Sequence, residues 1–101
     1  MGGLTMADRT PLSANEIEHA LLTLSGWIHD NNKLHKEFVL DSFRDAMAFM
    51  VRISYEAEQR DHHPEWSNVY NKVSISLSTH DAGNVVTGLD IELAREIEKL
   101  I

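Results

Sequence analysis

The chain has no cysteine. That excludes disulfides and thiolate metal sites, and it fits a reducing cytoplasm. Proline occurs only at Pro11 and Pro64, and glycine five times; no repeat or low-complexity stretch is present. No apolar run reaches the roughly 18 residues that a membrane span needs. Basic residues are scarce. Nine Lys and Arg face sixteen Asp and Glu, for a net charge of −7, and protonating all six histidines would still leave −1. Direct nucleic-acid binding requires a clustered basic footprint, and none is present.

What remains is ordinary for a water-soluble domain: 43% apolar and 25% charged residues over 101 positions. That length makes one domain. A domain of this size buries roughly 60–70% of its unfolded surface, which leaves little margin and makes oligomerisation a source of stability. Met1-Gly-Gly-Leu-Thr-Met6 lacks the basic and apolar regions of a secretory signal. Residues 1–11 read as a flexible lead, with Met6 as an alternative start, and residues 12–101 as the single domain.

Ser13-x-x-Glu16 is a capping box with Leu12 and Ile17 as its staple. It predicts a helix from about Ala14 to Leu24, stopping near Ser25-Gly26. Trp27–Asp30 and Leu34–Leu40 read as strands joined by Asn31-Asn32, since Asn tolerates positive φ. Asp41 or Ser42 caps a long helix to about Arg60, with Phe43, Ala46, Met47, Met50, Ile53 and Ala57 as its apolar stripe. Ala48, Val51 and Tyr55 form a second line, suited to peripheral packing or to a contact between subunits. Trp66–Tyr70 and Val73–Ser78 read as a hairpin turning at Asn71-Lys72. Pairing Tyr70 with Val73 puts Trp66, Asn68, Tyr70, Val73, Ile75 and Leu77 on one face and the serines on the other. Thr87-x-x-Asp90 is a second capping box, stapled by Val86 and Ile91, for a last helix to about Lys99 with Ile91, Leu93, Ala94 and Ile97 inward. The order α-β-β-α-β-β-α predicts an α+β fold: a four-stranded antiparallel sheet with helices packed on one face.

Chemistry concentrates in Glu58-Gln-Arg-Asp61-His62-His63-Pro64-Glu65-Trp66 and Thr79-His80-Asp81, which hold three of the six histidines. Imidazole titrates near pH 6.5, so it donates and accepts protons at neutral pH. Neighbouring side chains in extended backbone point opposite ways; one of His62 and His63 then reaches a ligand while the other anchors. Hairpin geometry brings His80 toward that pair. Each histidine taken alone also reads as an ordinary surface residue. Three imidazoles are a possible zinc set, but adjacent His-His is poor spacing for two ligands. Trp66 suits hairpin packing or the wall of a planar ligand. Glu58 and Asp61 sit close enough to raise an imidazole's pKa. Gly83 and Gly88 form no phosphate-binding pattern.

These residues resemble the pterin-4a-carbinolamine dehydratases. The resemblance rests on Glu58-x₃-His62-His63-Pro64-Glu65-Trp66-x-Asn68-Val69-Tyr70-Asn71-Lys72-Val73 and Ser78-Thr79-His80-Asp81-Ala82-Gly83. It extends upstream through Leu24-x₂-Trp27 and Phe38…Phe43-x₂-Ala46-x₂-Phe49, covering nearly the whole chain from Leu12. It implies a dehydratase that converts 4a-hydroxytetrahydropterin to quinonoid dihydropterin and water, supporting tetrahydrobiopterin recycling, with no metal or other cofactor. It implies His62, His63 and His80 as the active-site histidines, and Glu58, Asp61, Trp66, Ser78, Thr79 and Asp90 as residues around the pterin. Within that set His62 is the principal acid/base, His80 its proton-transfer partner and His63 the group that orients the ring. The resemblance also implies homodimers joined through their sheets or homotetramers joined by the long helix. Certain relatives are dimerisation cofactors for a homeodomain transcription factor, and a role in molybdopterin metabolism is a further alternative. One departure stands out. Thr87 follows His80 by seven residues where six is usual, and the loop reads Gly83-Asn84-Val85-Val86. The extra residue puts the position of Asp90 relative to the histidines in question.

Overall fold

The computed structural model describes residues 9–101; Met6 and most of the expected lead lie outside them. The elements are α1 (Ala14–Leu21), β1 (Ile28–Asp30), β2 (Lys33–Val39), α2 (Phe43–Arg60), β3 (Glu65–Val69), β4 (Lys72–Leu77) and α3 (Gly88–Lys99), with one 3₁₀ turn at His80–Ala82. The sheet is antiparallel in the order β1-β2-β4-β3. Leu34, Phe38, Val73, Ile75 and Leu77 point from one face into a single core shared with Ile53, Leu93 and Ile97 of the helices. The opposite face carries Ser74 and Ser76, both half-buried, and His35, whose Nδ1 lies 2.7 Å from Ser76 Oγ. An antiparallel sheet tolerates one such polar face.

Local chemistry explains the element ends. Both capping boxes form. Ser13 Oγ accepts from Glu16 N while Glu16 Oε1 accepts from Ser13 N, and Thr87 with Asp90 does the same at α3. Ser42 caps α2. Asn31 and Asn32 turn the first hairpin with φ of 56° and 63°. α1 stops at Leu21, earlier than expected. There the Thr23 hydroxyl donates to the Ala20 carbonyl at 3.1 Å, a local bond that competes with the helix. The chain then turns to Gly26, at φ 86°, where a β-carbon would lie 3.0 Å from the Lys36 side chain.

Three expectations are corrected. The second hairpin turns at Tyr70-Asn71, not Asn71-Lys72, so Val69 pairs with Lys72 and Trp66 with Ile75 rather than Leu77. The cause is side-chain bonding. Asn68 Nδ2 donates to the carbonyls of Tyr70 and Lys72, and Asn71 Nδ2 donates to Leu40 O on the neighbouring segment. Tyr70 therefore sits in the turn with φ 53°, exposed rather than in the core. Every cross-strand partner moves by two residues, which preserves the assignment of faces. In α2 the buried stripe is Ala46, Phe49, Ile53 and Ala57, whereas Phe43 is exposed and Met47 and Met50 only half-buried. Phe49 is the residue that meets Phe38, at 4.9 Å between ring centroids. Residues 9–11, expected within the lead, are engaged: Arg9 pairs with Asp81 at 3.3 Å and Pro11 bridges to Thr87.

The joint of α2 and α3 leads to the histidines. Arg60, the last residue of α2, donates to Glu56 and to Glu92 of α3. Burial alone would lower the pKa of its guanidinium, but those hydrogen bonds and charges outweigh burial and raise it. It stays charged and ties the end of α2 to α3.

Candidate active site

The chain leaves α2 through Asp61 in the left-handed conformation, φ 50°, which Asp tolerates better than most residues. Asp61 N and His62 N both close back on the last turn, the latter on Ala57 O at 3.0 Å. The backbone of Asp61 thus reverses the chain and turns His62 inward. Its carboxylate is exposed and makes no side-chain bond among the described residues.

His62 and His63 then part, as extended backbone requires. His62 is buried, at 6% exposure. Its Nε2 lies 2.6 Å from Asp90 Oδ1. An ionised carboxylate only accepts, so Nε2 carries a proton, and in the neutral ring Nδ1 holds the lone pair. No fully buried polar side-chain atom among the described residues lacks a partner. Nδ1 has no protein partner there, so it retains contact with solvent.

Asp90 is wholly buried and fully engaged. Besides His62, it accepts Thr79 Oγ1–H at 2.8 Å and Thr87 N–H at 2.9 Å on Oδ2. The remaining directions follow. Thr79 spends its one hydroxyl proton on Asp90, so in the 2.7 Å contact between the two threonines Thr87 is the donor. Thr87 Oγ1 in turn accepts from Leu89 N at 3.2 Å. The Asp90 carboxylate, which only accepts, therefore sets the direction of the whole chain of bonds. The longer loop leaves Asp90 on His62. With no exposed surface, Asp90 reaches a ligand only through the imidazole. Thr79 is 2% exposed with its hydroxyl committed, so that hydroxyl does not meet a ligand directly.

His63 points outward. Its Nε2 is 3.0 Å from Glu58 Oε1, and both side chains are exposed. Pro64 and Trp66 follow it, and with Ser54, Ala57 and Glu58 they line a cavity of about 200 Å³. Trp66, 36% exposed, is a wall rather than core. A larger cavity of about 730 Å³ lies between α1 and α3, beside Leu12, His19 and Ile91. None of His62, His63 and His80 lines it, so size does not mark the site.

His80 opens the 3₁₀ turn beyond β4 and is exposed. Its Nδ1 is 3.1 Å from Asn84 Oδ1. Ser78, half-buried, links β4 to Thr79 and makes no side-chain bond among the described residues. The three imidazoles thus have separate partners: Asp90, Glu58 and Asn84. Only His62 and the residue before His80 are joined, through Asp90. Among the described residues no three His, Asp or Glu side chains are grouped as a metal site. Sequence reasoning missed Asn84 and treated Thr87 as a helix cap only; the seven-residue spacing and the capping box were the available signals.

The chain that carries this buried, carboxylate-oriented imidazole matches a known family over almost its entire length. Residues 10–100 match the family described as pterin 4 alpha carbinolamine dehydratase. The chain belongs to that dehydratase family. A relative from Opitutus terrae is 50% identical over 91 residues, covering 90% of this chain and 94% of its own. Another from Christiangramia forsetii is 44% identical, covering 89% and 92%. Both bear the name "Putative pterin-4-alpha-carbinolamine dehydratase". Among solved structures, a Brucella melitensis protein described as a "transcriptional coactivator/pterin dehydratase" is 38% identical with a TM-score of 0.86, covering 90% of this chain and 98% of its own. The dehydratase family fold is therefore the three-helix, four-strand arrangement found here.

Proposed function

We propose that this chain dehydrates 4a-hydroxytetrahydropterin to quinonoid dihydropterin by histidine acid–base catalysis, in tetrahydrobiopterin recycling. The observation that carries the reading is the 2.6 Å contact of His62 with a buried Asp90. It leaves Nδ1 of His62 as the proton-exchanging atom, and the next residue, His63, lines a cavity with Trp66. In the reaction the N5 lone pair forms the C4a=N5 double bond as the C4a–O bond breaks. The departing hydroxyl takes a proton and leaves as water, and N5 gives up its proton to a base. His62 Nδ1 and His80 are the exchanging groups. His63, held by Glu58, orients the ring against Trp66. Each proton has a source and an acceptor among these side chains, and the reaction as written draws on no metal, nucleotide or covalent nucleophile. General acid–base assistance of this kind is worth roughly 10²–10⁴-fold.

The test is the rate of carbinolamine loss in His62→Ala and His80→Ala. The expected result is a fall in kcat of about 100-fold for His62→Ala and a smaller one for His80→Ala. Wild-type rates in both variants would end the assignment.

A second reading has its own support. The Brucella melitensis neighbour's description includes "transcriptional coactivator", and α2 here exposes Val51 and Tyr55, at 52% and 70%, beside half-buried Ala48. That line suits a homotetramer or an adaptor contact with a transcription factor. An adaptor retains partner binding when His62 is replaced and loses it when Val51 and Tyr55 become charged.

A further inference from the structure

The loop that follows His80 is one residue longer than the family resemblance leads one to expect, and its geometry is specific. Gly83 and Asn84 both take left-handed backbone, with φ of 94° and 62°. The loop closes on itself: Asn84 N–H donates to Thr79 O at 3.0 Å, and Thr79 N–H donates to Val85 O at 2.8 Å. Gly83 N–H donates to His80 O at 3.0 Å. This fold-back brings the Asn84 amide to the His80 ring, with Oδ1 at 3.1 Å from Nδ1. It is the only side-chain bond that His80 makes among the described residues.

We infer that Asn84 is a positioning residue that holds His80 as its Nδ1–H tautomer, so that both gain and loss of a proton occur at Nε2. An amide oxygen only accepts, so Nδ1 must donate and the lone pair must reside on Nε2. A free neutral histidine prefers the opposite tautomer, so the inferred state is distinguishable from no constraint at all. The left-handed φ at position 84 suits Asn, which visits that region more readily than most residues. The device mirrors that at His62, where Asp90 takes Nε2 and frees Nδ1. The structural part of this inference stands on the loop geometry alone; its catalytic part rests on the dehydratase reading.

The experiment is ¹⁵N NMR of the histidine rings at a pH where His80 is neutral, in wild type, Asn84→Gly and Asn84→Asp. Glycine keeps the backbone conformation without strain and removes the acceptor, whereas aspartate keeps it. The expected result is Nδ1–H for His80 in wild type and Asn84→Asp, and a shift toward Nε2–H in Asn84→Gly. In the dehydration assay Asn84→Gly should lower kcat by about three- to tenfold, the worth of one ordinary hydrogen bond, with KM little changed. An Nε2–H ring in wild type, or a tautomer unmoved by Asn84→Gly, overturns the inference. So does loss of Nδ1–H in Asn84→Asp. If the tautomers behave as expected and no variant, wild type included, dehydrates the carbinolamine, the dehydratase reading fails and the positioning of His80 stands.

Discussion

Two carboxylates on α3 show how the same group serves two ends. Asp90 lies in the first turn and Glu98 in the last, about 12 Å apart along the axis at 1.5 Å per residue. Glu98 Oε2 accepts from Lys36 Nζ at 2.7 Å and from Trp27 Nε1 at 2.9 Å. The Lys36 ammonium also lies 4.7 Å from the centre of the Phe38 ring and donates to Ser25 O. A fixed cation neutralises that carboxylate and offsets its unfavourable place at a helix C-terminus. Asp90 has no fixed cation. It is buried at the favourable helix N-terminus, held by a hydroxyl, a backbone N–H and an imidazole. Of these donors only the imidazole has a second nitrogen that can take up a proton. The Glu98 end is built to stay as it is, whereas in the proposed mechanism the Asp90 end exchanges a proton through His62.

The comparison is broken most directly at Asp90. Asp90→Asn keeps the size of the side chain but turns one acceptor oxygen into an NH2 donor. With the remaining oxygen held by the Thr79 hydroxyl and the Thr87 N–H, that donor faces His62 and the acceptor that fixes its tautomer is lost. Its expected effect is a fall in kcat of about 100-fold or more, with a stability loss of about 1–3 kcal/mol from the disturbed buried bonds. Steady-state rates and urea unfolding measure both, and a fully active Asp90→Asn would remove Asp90 from the proton path.

The Thr79 hydroxyl comes next. Thr79→Val keeps the shape and removes the donor to Asp90, whereas Thr79→Ser keeps the donor. We expect kcat to fall about tenfold in the valine variant and to recover in the serine variant. Equal rates in the two would show that the hydroxyl acts only through packing.

Glu98→Gln sharpens the contrast from the other end. It removes a partly exposed ion pair, so the loss is about 1 kcal/mol or less, read as a small shift of the urea midpoint. Dehydration by Glu98→Gln should match wild type; a large loss of rate would mean that the two ends of α3 are not separable.

Much of this was legible along the chain because it depends on neighbours in sequence. The two capping boxes, the Asn31-Asn32 turn and the opposed directions of His62 and His63 need only a few residues each, and all formed. The second hairpin was placed two residues out of register because Asn71 takes its partner from Leu40, 31 residues away. The helix stripe was misjudged at Phe43 and Phe49 because apolar spacing leaves the centre of a buried face open, and contact with Phe38 chose it. Asp90 was legible as a helix cap and only through the family resemblance as part of the histidine site. Its bond to His62 spans 28 residues.

By itself the sequence determined the elements, their capped starts and the presence of three histidines near one hairpin, since caps and alternation are short-range physics. Tertiary structure decided which nitrogen of each histidine is occupied. That choice depends on a single acceptor placed within about 3 Å, and for His62 only the packing of α3 against the end of α2 supplies it.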